Sequence, residues 1–269
     1  MKNTIKSIIL PIIYSIVSTI VLLLVSNIYT SLNVYYYGYT TKEQLLEYFD
    51  SKLYIDGLGN FLNSNLVYIG LIIFCLFIPY LLKKYYKNNT KINKISFKDI
   101  LYIIILGMLF SGISNLIFYL INETIEFTNA YNISTYNYFP LIISNGILGP
   151  ILEEYMFRGV IYNNLQKEND KMLSIIMTSI LFSMMHTGID SILYSFALSF
   201  LLIYVYEKYK TIKAPIILHM TFNIFSILFI YIINISNLLN YVLLFVFIIL
   251  LIIYYLKVIR KDMNNMVVK

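Results

Sequence analysis

Long runs of apolar residues constrain the fold of this chain more than any other feature. A helix needs about 20 mostly apolar residues to cross the hydrocarbon core of a bilayer. Charged residues make up only 13% of the chain, against about 25% in a soluble globular domain, which excludes a large soluble domain. Eight candidate transmembrane segments follow: residues 7–28, 66–82, 100–121, 139–157, 172–187, 191–206, 214–233 and 238–256.

The distribution of basic residues predicts how these segments are oriented. Of the 20 lysine and arginine residues, 18 lie in alternate loops or termini on one side, and only Lys42 and Lys52 lie on the other. Basic loops face the cytoplasm. We therefore expect an all-α polytopic integral membrane protein with about eight transmembrane helices and both termini cytoplasmic, in a bacterial plasma membrane. This placement explains the net charge of +6 without a nucleic-acid partner.

The first apolar segment resembles a signal peptide, because Lys2 and Lys6 precede an apolar run that ends near Val25. No Ala-x-Ala site follows this run, since the first alanine of the chain is Ala130, so we expect an uncleaved transmembrane helix. Cys75 is the single cysteine, which excludes an intramolecular disulfide.

A few ionisable and amide side chains interrupt three of the apolar segments. Such residues are costly within a bilayer unless they are paired or hydrated, so they are candidates for a functional site. Both histidines of the protein fall in this set. Its members are Glu153, Glu154, Arg158, His186, His219 and Asn223.

Helical spacing divides the acidic members of this set. Glu154 and Arg158 are four residues apart, so they can pair on one helix face. Glu153 is rotated by about 100° from Glu154, so it can point into a cavity instead. We expect Gly149-Pro150 to kink or restart the helix, which would place both acids in a first helical turn.

His186 poses a problem of depth, because it lies at the far end of a short segment. Fifteen residues from Lys171 cover only about 22 Å of a core that is about 30 Å thick. We therefore expect the hairpin 172–206 to be short or strongly tilted, with a tip buried in the protein at the level that Glu153 can reach.

One free glutamate, two histidines and an asparagine between helices are suited to hydrolysis. A carboxylate can take a proton from water, and histidine and asparagine donors can hold the oxyanion that forms. Zinc is the alternative, with Glu153, His186 and His219 as ligands and an open position for water. Each of these residues, taken singly, can also have a purely structural role. Histidine and asparagine hydrogen-bond between membrane helices, and Glu154 with Arg158 can be a structural ion pair.

Three short motifs occur in order on the apolar segments: EEYMFR at 153–158, FSMMH at 182–186 and HMTFN at 219–223. Together they resemble the CAAX protease and bacteriocin-processing family, also called Abi or CPBP. Its members are intramembrane proteases related to the type II CAAX prenyl endopeptidase. The resemblance covers about residues 140–225, and it implies an eight-helix fold and peptide-bond hydrolysis within the membrane.

The resemblance also implies roles for the residues of the first motif. Glu153 would activate the water. Glu154 would support Glu153 in this role and would pair with Arg158.

The other two motifs would supply the remaining groups. His186 would bind the nucleophile or the oxyanion, and His219 with Asn223 would complete the oxyanion site. The resemblance leaves a zinc requirement open, and we favour a metal-free glutamate mechanism.

The expected organisation has three parts: amino-terminal helices over residues 1–135, a catalytic core over 136–235, and a last helix with a basic tail over 236–269. We expect an endopeptidase with a cavity open toward the cytoplasm. Its substrate would be a membrane-associated peptide or protein, in CAAX-type, bacteriocin or signal-peptide processing. The alternatives are a non-catalytic bacteriocin self-immunity or scaffold protein and a small transporter, although the sequence shows no inverted repeat.

Overall fold

The computed structural model describes residues 2–88, 93–125, 138–233 and 236–256. The predicted boundary between residues 135 and 136 and the basic tail after residue 256 lie outside them. The helices of the described residues are α1 (Lys2–Tyr37), α2 (Lys42–Phe49), α3 (Lys52–Ser64), α4 (Leu66–Asn88), α5 (Phe97–Ile125), α6 (138–165), α7 (Lys171–Ser183), α8 (Ile189–Tyr209), α9 (Lys213–Ile233) and α10 (Asn237–Tyr254).

The eight predicted apolar segments correspond to α1 and to α4 through α10 in the described part of the chain. Four of these helices, α1, α4, α5 and α8, are long and apolar enough to cross a membrane. Shorter apolar helices form most of α7, α9 and α10. The chain is therefore an all-α polytopic membrane protein, as its apolar runs predict.

Helix α6, which carries both acids, is continuous but changes its winding twice. Residues 142–148 and 155–162 are π-helical and flank the α-helical stretch Gly149–Glu154. The backbone N–H of Gly149 bonds to the carbonyl five residues earlier, and Pro150 follows directly. The α-helical winding restarts at Gly149, with Pro150 next, in agreement with the expected kink or restart. No acidic residue lies in the first turn of that stretch. Both acids therefore lie inside a helix rather than in a first turn.

The first helix of the α7–α8 hairpin is as short as the sequence predicts. Helix α7 has 13 residues, so it is about 20 Å long and shorter than the hydrocarbon core of about 30 Å. The turn after it contains His186 and ends at Gly188, whose φ of 90° favours glycine. Helix α8, in contrast, has 21 residues and is long enough to cross a membrane. The tip residues Thr187, Gly188 and Ile189 are exposed, so the expected burial of the tip in the protein is wrong.

The packed centre of the bundle surrounds the second half of α6. Met156, Phe157 and Ile161 on α6 are fully buried, together with Phe182 on α7 and Leu202 on α8. In a bilayer, close packing of this kind, rather than exclusion of water, holds helices together. The core therefore lies directly beside the polar residues of α6.

Helices α2 and α3 form a short pair between α1 and α4. Thr41 and Gln44 form a capping box at the start of α2. Aromatic rings of Tyr39 and Tyr54 pack against Tyr48. Burial raises the pKa of the Tyr48 hydroxyl to about 12. The pair thus forms a small aromatic cluster on the side that the loop charges assign to the exterior.

Candidate active site

Glu154 and Arg158 form a fully buried ion pair on α6. Nη1 of Arg158 donates to Oε1 of Glu154 over 2.9 Å, and neither side chain is exposed. Nη2 donates to the hydroxyl and the carbonyl of Ser199 on α8, at 2.8 and 3.3 Å. The guanidinium carbon lies 4.6 Å from the ring centre of Phe182 on α7. The spacing of four residues predicted the ion pair, and two other helices hold the arginine in place.

His219 on α9 approaches the same glutamate from the opposite side. Its Nδ1 lies 2.8 Å from Oε1 of Glu154. An ionised carboxylate can only accept a hydrogen bond, so Nδ1 carries the hydrogen. The other ring nitrogen, Nε2, lies 3.9 Å from Oε2 of Glu153. Glu154 thus orients the imidazole toward the second acid.

Glu153 has a different environment from its neighbour. Its side chain is 24% exposed, whereas that of Glu154 is 0% exposed. The rotation of about 100° between successive helical residues produces this difference. Glu153 is therefore the acid that can meet water or a substrate.

Four of the six predicted site residues line one cavity of about 480 Å³: Glu153, His186, His219 and Asn223. A cavity of this size can enclose a small ligand or part of a peptide. Glu154 and Arg158 lie behind its wall. An apolar groove of about 320 Å³ between α5 and α9 is lined by no ionisable side chain, so it offers no comparable chemistry.

His186 lies in the turn after α7, at the tip of the hairpin. Its Nδ1 is 3.0 Å from the carbonyl of Phe182, and the two rings are 5.0 Å apart. Because a carbonyl only accepts, Nδ1 donates and Nε2 is the ring atom available to the cavity. The centres of the Phe182 and His219 rings are 5.6 Å apart in an edge-to-face arrangement. The guanidinium of Arg158 also lies over the Phe182 ring. This shared contact gives a structural reason for the phenylalanine in FSMMH.

Asn223 lies one helical turn beyond His219 on α9. Its Nδ2 donates to the carbonyl of Asn145 in the first π-helical stretch of α6, at 2.7 Å. Neither Asn145 nor Ser199 was among the site residues that the sequence predicted. Both are polar residues in apolar segments, but their partners are distant in sequence, so no spacing pattern indicates them.

The cavity lies on the exterior side of Glu153 when the helices are oriented by their loop charges. It is lined by Leu66 and Ile69 in the first turns of α4 and by Leu141 near the start of α6, which are the exterior ends of these helices. In that orientation the cavity extends from Glu153 toward the exterior ends of α4 and α6, and the expected opening toward the cytoplasm stays a prediction. The turn after α7, with Met185 and His186, also lines the cavity.

A zinc site built from Glu153, His186 and His219 does not fit this geometry. Among the described residues, no three histidine, cysteine, aspartate or glutamate side chains are grouped so that they could hold a metal ion. Catalytic zinc requires three protein ligands at about 2.0–2.3 Å. We therefore derive no step through a metal.

The fold and the site define a polytopic all-α membrane protein with a buried acid–arginine–histidine cluster beside a cavity. Within that class, residues 135–225 match the family described as type II CAAX prenyl endopeptidase Rce1-like. The resemblance predicted from the three motifs is thereby confirmed, and all three motifs lie inside the matched range.

Similar proteins occur in bacteria. "Putative membrane peptidase YdiL" of Bacillus subtilis (strain 168) is 31% identical over 88 residues, which are 33% of this chain and 36% of that protein. "UPF0177 protein YaiH" of Lactococcus lactis subsp. lactis (strain IL1403) is 33% identical over 153 residues, or 52% of this chain and 60% of that protein. The chain thus matches less than two thirds of the length of each relative. No solved structure shows a significant match.

Proposed function

We propose that this protein is an endopeptidase that hydrolyses a peptide bond within the membrane. The observation that carries the proposal is that two adjacent acids have different partners and different access to the cavity. Glu154 is tied to Arg158 and His219. Glu153 instead faces a cavity that both histidines also line. The family match of residues 135–225 and the relative named as a membrane peptidase support the same reaction class.

In the proposed reaction, Glu153 accepts a proton from a water molecule while the water oxygen attacks the carbonyl carbon of the scissile bond. The electron pair of the C=O bond moves onto oxygen, and hydrogen-bond donors stabilise the resulting oxyanion. Glu153 then gives the proton to the amide nitrogen and the C–N bond breaks. The products are a carboxylic acid and an amine, so the atoms of one water molecule are fully consumed.

The hydrogen-bond partners divide the remaining roles. His186 donates its Nδ1–H to Phe182, so its neutral ring presents Nε2 as an acceptor that can hold the attacking water. Asn223 uses one amide hydrogen on Asn145 and keeps a second for the oxyanion. His219, whose Nε2 lies 3.9 Å from Oε2 of Glu153, is the remaining member of the oxyanion site in this proposal.

The substrate in this proposal is a membrane-associated peptide or protein of a bacterial plasma membrane. The bacterial origin of the relatives supports this location. Maturation of a signalling peptide or a bacteriocin, or self-immunity to a bacteriocin, would each use such a peptidase.

The decisive experiment compares Glu153→Gln with the wild-type protein and with Glu43→Gln, a control on the exposed surface of α2. Peptides and new protein termini in membranes of expressing cells are identified by mass spectrometry. We expect cleavage products that fall by at least about 100-fold in Glu153→Gln and persist in Glu43→Gln. Equal products in all three strains would overturn the peptidase and favour a binding or immunity protein.

A further inference from the structure

We propose that Tyr14 on α1 binds the substrate, with its hydroxyl donating a hydrogen bond to a backbone carbonyl of the peptide held beside Glu153. This role rests on the peptidase function, and it adds a substrate-binding residue from outside the family match at residues 135–225. Three observations carry it: the packed face of α1, the level at which α1 passes α6, and the polar neighbours of the Tyr14 hydroxyl.

One face of α1 packs against the rest of the protein. Leu10 and Val21 are buried on this face, and Tyr14 and Val17 lie between them against the core. Their spacing of three and four residues is typical of a packed helix face, whereas Ile16 on another face is exposed. Tyr14 therefore adds a hydroxyl to a face that its neighbours make apolar.

The first turn of α1 is attached to the end of α6. The backbone N–H and the hydroxyl of Thr4 donate to Oε2 of Glu168, at 3.0 and 2.8 Å, shortly after α6 ends at Leu165. Along α1, Tyr14 is about 15 Å beyond Thr4. Along α6, Glu153 is about 18 Å before Leu165. These lengths place Tyr14 and Glu153 at the same level within about one helical turn.

Helix α4 fixes the ring of Tyr14 beside the cavity. The ring centre lies 5.1 Å from that of the buried Phe77, at an interplanar angle of 64°, which is an edge-to-face contact. Tyr14 lines the cavity of about 480 Å³ together with Glu153 and His219. The other α1 residue in this wall, Leu22, is apolar. Tyr14 is therefore the residue through which α1 brings a hydrogen-bonding group to the cavity.

The hydroxyl of Tyr14 has polar neighbours on two helices. The carboxylate of Glu153 acts on it electrostatically, and Ser18 borders it one helical turn further along α1. Oγ of Ser18 is buried and has no hydrogen-bond partner among the described residues. Buried polar groups are normally hydrogen-bonded. The two hydroxyls therefore have hydrogen-bonding capacity that a bound substrate can use.

A tyrosine hydroxyl at this position suits a backbone carbonyl of the substrate. A phenol is protonated at neutral pH and can donate, whereas an ionised carboxylate such as that of Glu153 only accepts. The C=O groups of an unwound peptide need donors inside a bilayer, because an unsatisfied group there is strongly unfavourable. Helix α1 packs against the second half of α6, and α9 packs against the first half. Because the oxyanion donors His219 and Asn223 lie on α9, Tyr14 binds a carbonyl next to the scissile bond.

The test compares Tyr14→Phe with the wild-type protein and with Tyr35→Phe. Tyr14→Phe removes the hydroxyl and keeps the ring that packs against Phe77. Tyr35→Phe is the matched control, because it removes a hydroxyl from an 88% exposed side chain of the same helix. The substrate is a synthetic peptide with the sequence around the cleavage site found in wild-type membranes, and kcat and KM are measured in detergent micelles.

We expect KM to rise by about 3–10-fold in Tyr14→Phe, the usual effect of one neutral hydrogen bond, with a smaller change in kcat. A purely structural role would give the opposite pattern, since a smaller fraction of folded enzyme lowers the apparent kcat and leaves KM unchanged. An unchanged or lower KM in Tyr14→Phe would therefore overturn the role of Tyr14. An equal rise of KM in Tyr35→Phe would overturn it as well, because the effect would not be specific to the cavity.

Failure of this role is distinguishable from failure of the peptidase. Wild-type membranes without cleavage products would overturn the peptidase and the role of Tyr14 with it. Cleavage with a KM that does not depend on the Tyr14 hydroxyl would overturn only the role of Tyr14 and leave the peptidase in place.

Discussion

Nδ1 of His219 and Oε1 of Glu154 are 2.8 Å apart, in a cluster where the carboxylate has no exposed surface. The same oxygen accepts a hydrogen bond from Arg158 at 2.9 Å. One carboxylate oxygen therefore joins a cation on α6 to an imidazole on α9. Oε2 of Glu154 has no hydrogen-bond partner among the described residues, so Oε1 carries these interactions. We therefore infer that Glu154 is a positioning residue on which the charge balance of the site depends.

Removal of Arg158 should destabilise the protein strongly. Arg158→Met leaves the buried carboxylate of Glu154 without its cation. We expect the free energy of unfolding to fall by about 3–5 kcal/mol. The measurement is thermal or denaturant unfolding in detergent micelles, followed by circular dichroism. The double variant Glu154→Gln/Arg158→Met removes both charges, so its free energy of unfolding should be closer to that of the wild type. A single variant as stable as the wild type would show that the carboxylate is neutral or hydrated.

Truncation of Asn223 should reduce turnover more than stability. Asn223→Ala removes a donor from the cavity together with the bond to Asn145. The loss of one oxyanion donor typically lowers kcat by about 10²–10³-fold. We expect kcat to fall while KM changes little, measured on the cleavage product found with the wild type. Asn33→Ala, which removes an amide bonded within α1, is the matched control and should keep its activity.

Gly107 on α5 lies close to the backbone of α9. A Cβ atom at this position would lie 2.9 Å from the carbonyl oxygen of Leu218 and 3.1 Å from Cβ of Thr221. Gly107→Ala should therefore destabilise the fold by about 1–3 kcal/mol in unfolding experiments, because backbone must move. Gly59→Ala is the control: no atom lies within 4 Å, and the change should stabilise α3 by about 0.5–1 kcal/mol. A neutral Gly107→Ala would indicate that the two helices separate easily.

Asn115 and Ser226 should show an energetic coupling between α5 and α9. Nδ2 of Asn115 donates to Oγ of Ser226 at 2.9 Å, and Oγ donates back to Oδ1 at 3.0 Å. A double-mutant cycle of Asn115→Ala and Ser226→Ala should give a coupling of about 0.6–1.7 kcal/mol. Stability in micelles is the readout. Strict additivity of the two single effects would contradict this pair of hydrogen bonds.

Chelators should leave activity unchanged, because the donors around Glu153 do not converge on a shared point in the described residues. The test is incubation of the purified protein with a zinc chelator, followed by product analysis and elemental analysis. Loss of activity that zinc restores would establish a metal-dependent mechanism and would require the histidines to rearrange.

Sequence alone was sufficient for the local features of this protein. The length of each apolar run predicted the membrane helices, because a bilayer demands about 20 apolar residues per crossing. A separation of four residues predicted the Glu154–Arg158 pair, since such positions share a helix face. The short segment before His186 predicted the short helix α7 for the same geometric reason, whereas the exposed tip at residues 187–189 was not predicted.

Only the tertiary structure decided which groups meet across helices and where the cavity lies. Ser199 and Asn145 are bonded to residues 41 and 78 positions away in the chain. Such contacts depend on the packing of whole helices, so no short-range spacing in the sequence predicts them. The π-helical turns around Pro150 likewise depend on the packed environment of α6. The position of the cavity between α4, α6 and α9 also follows only from the packing of these helices.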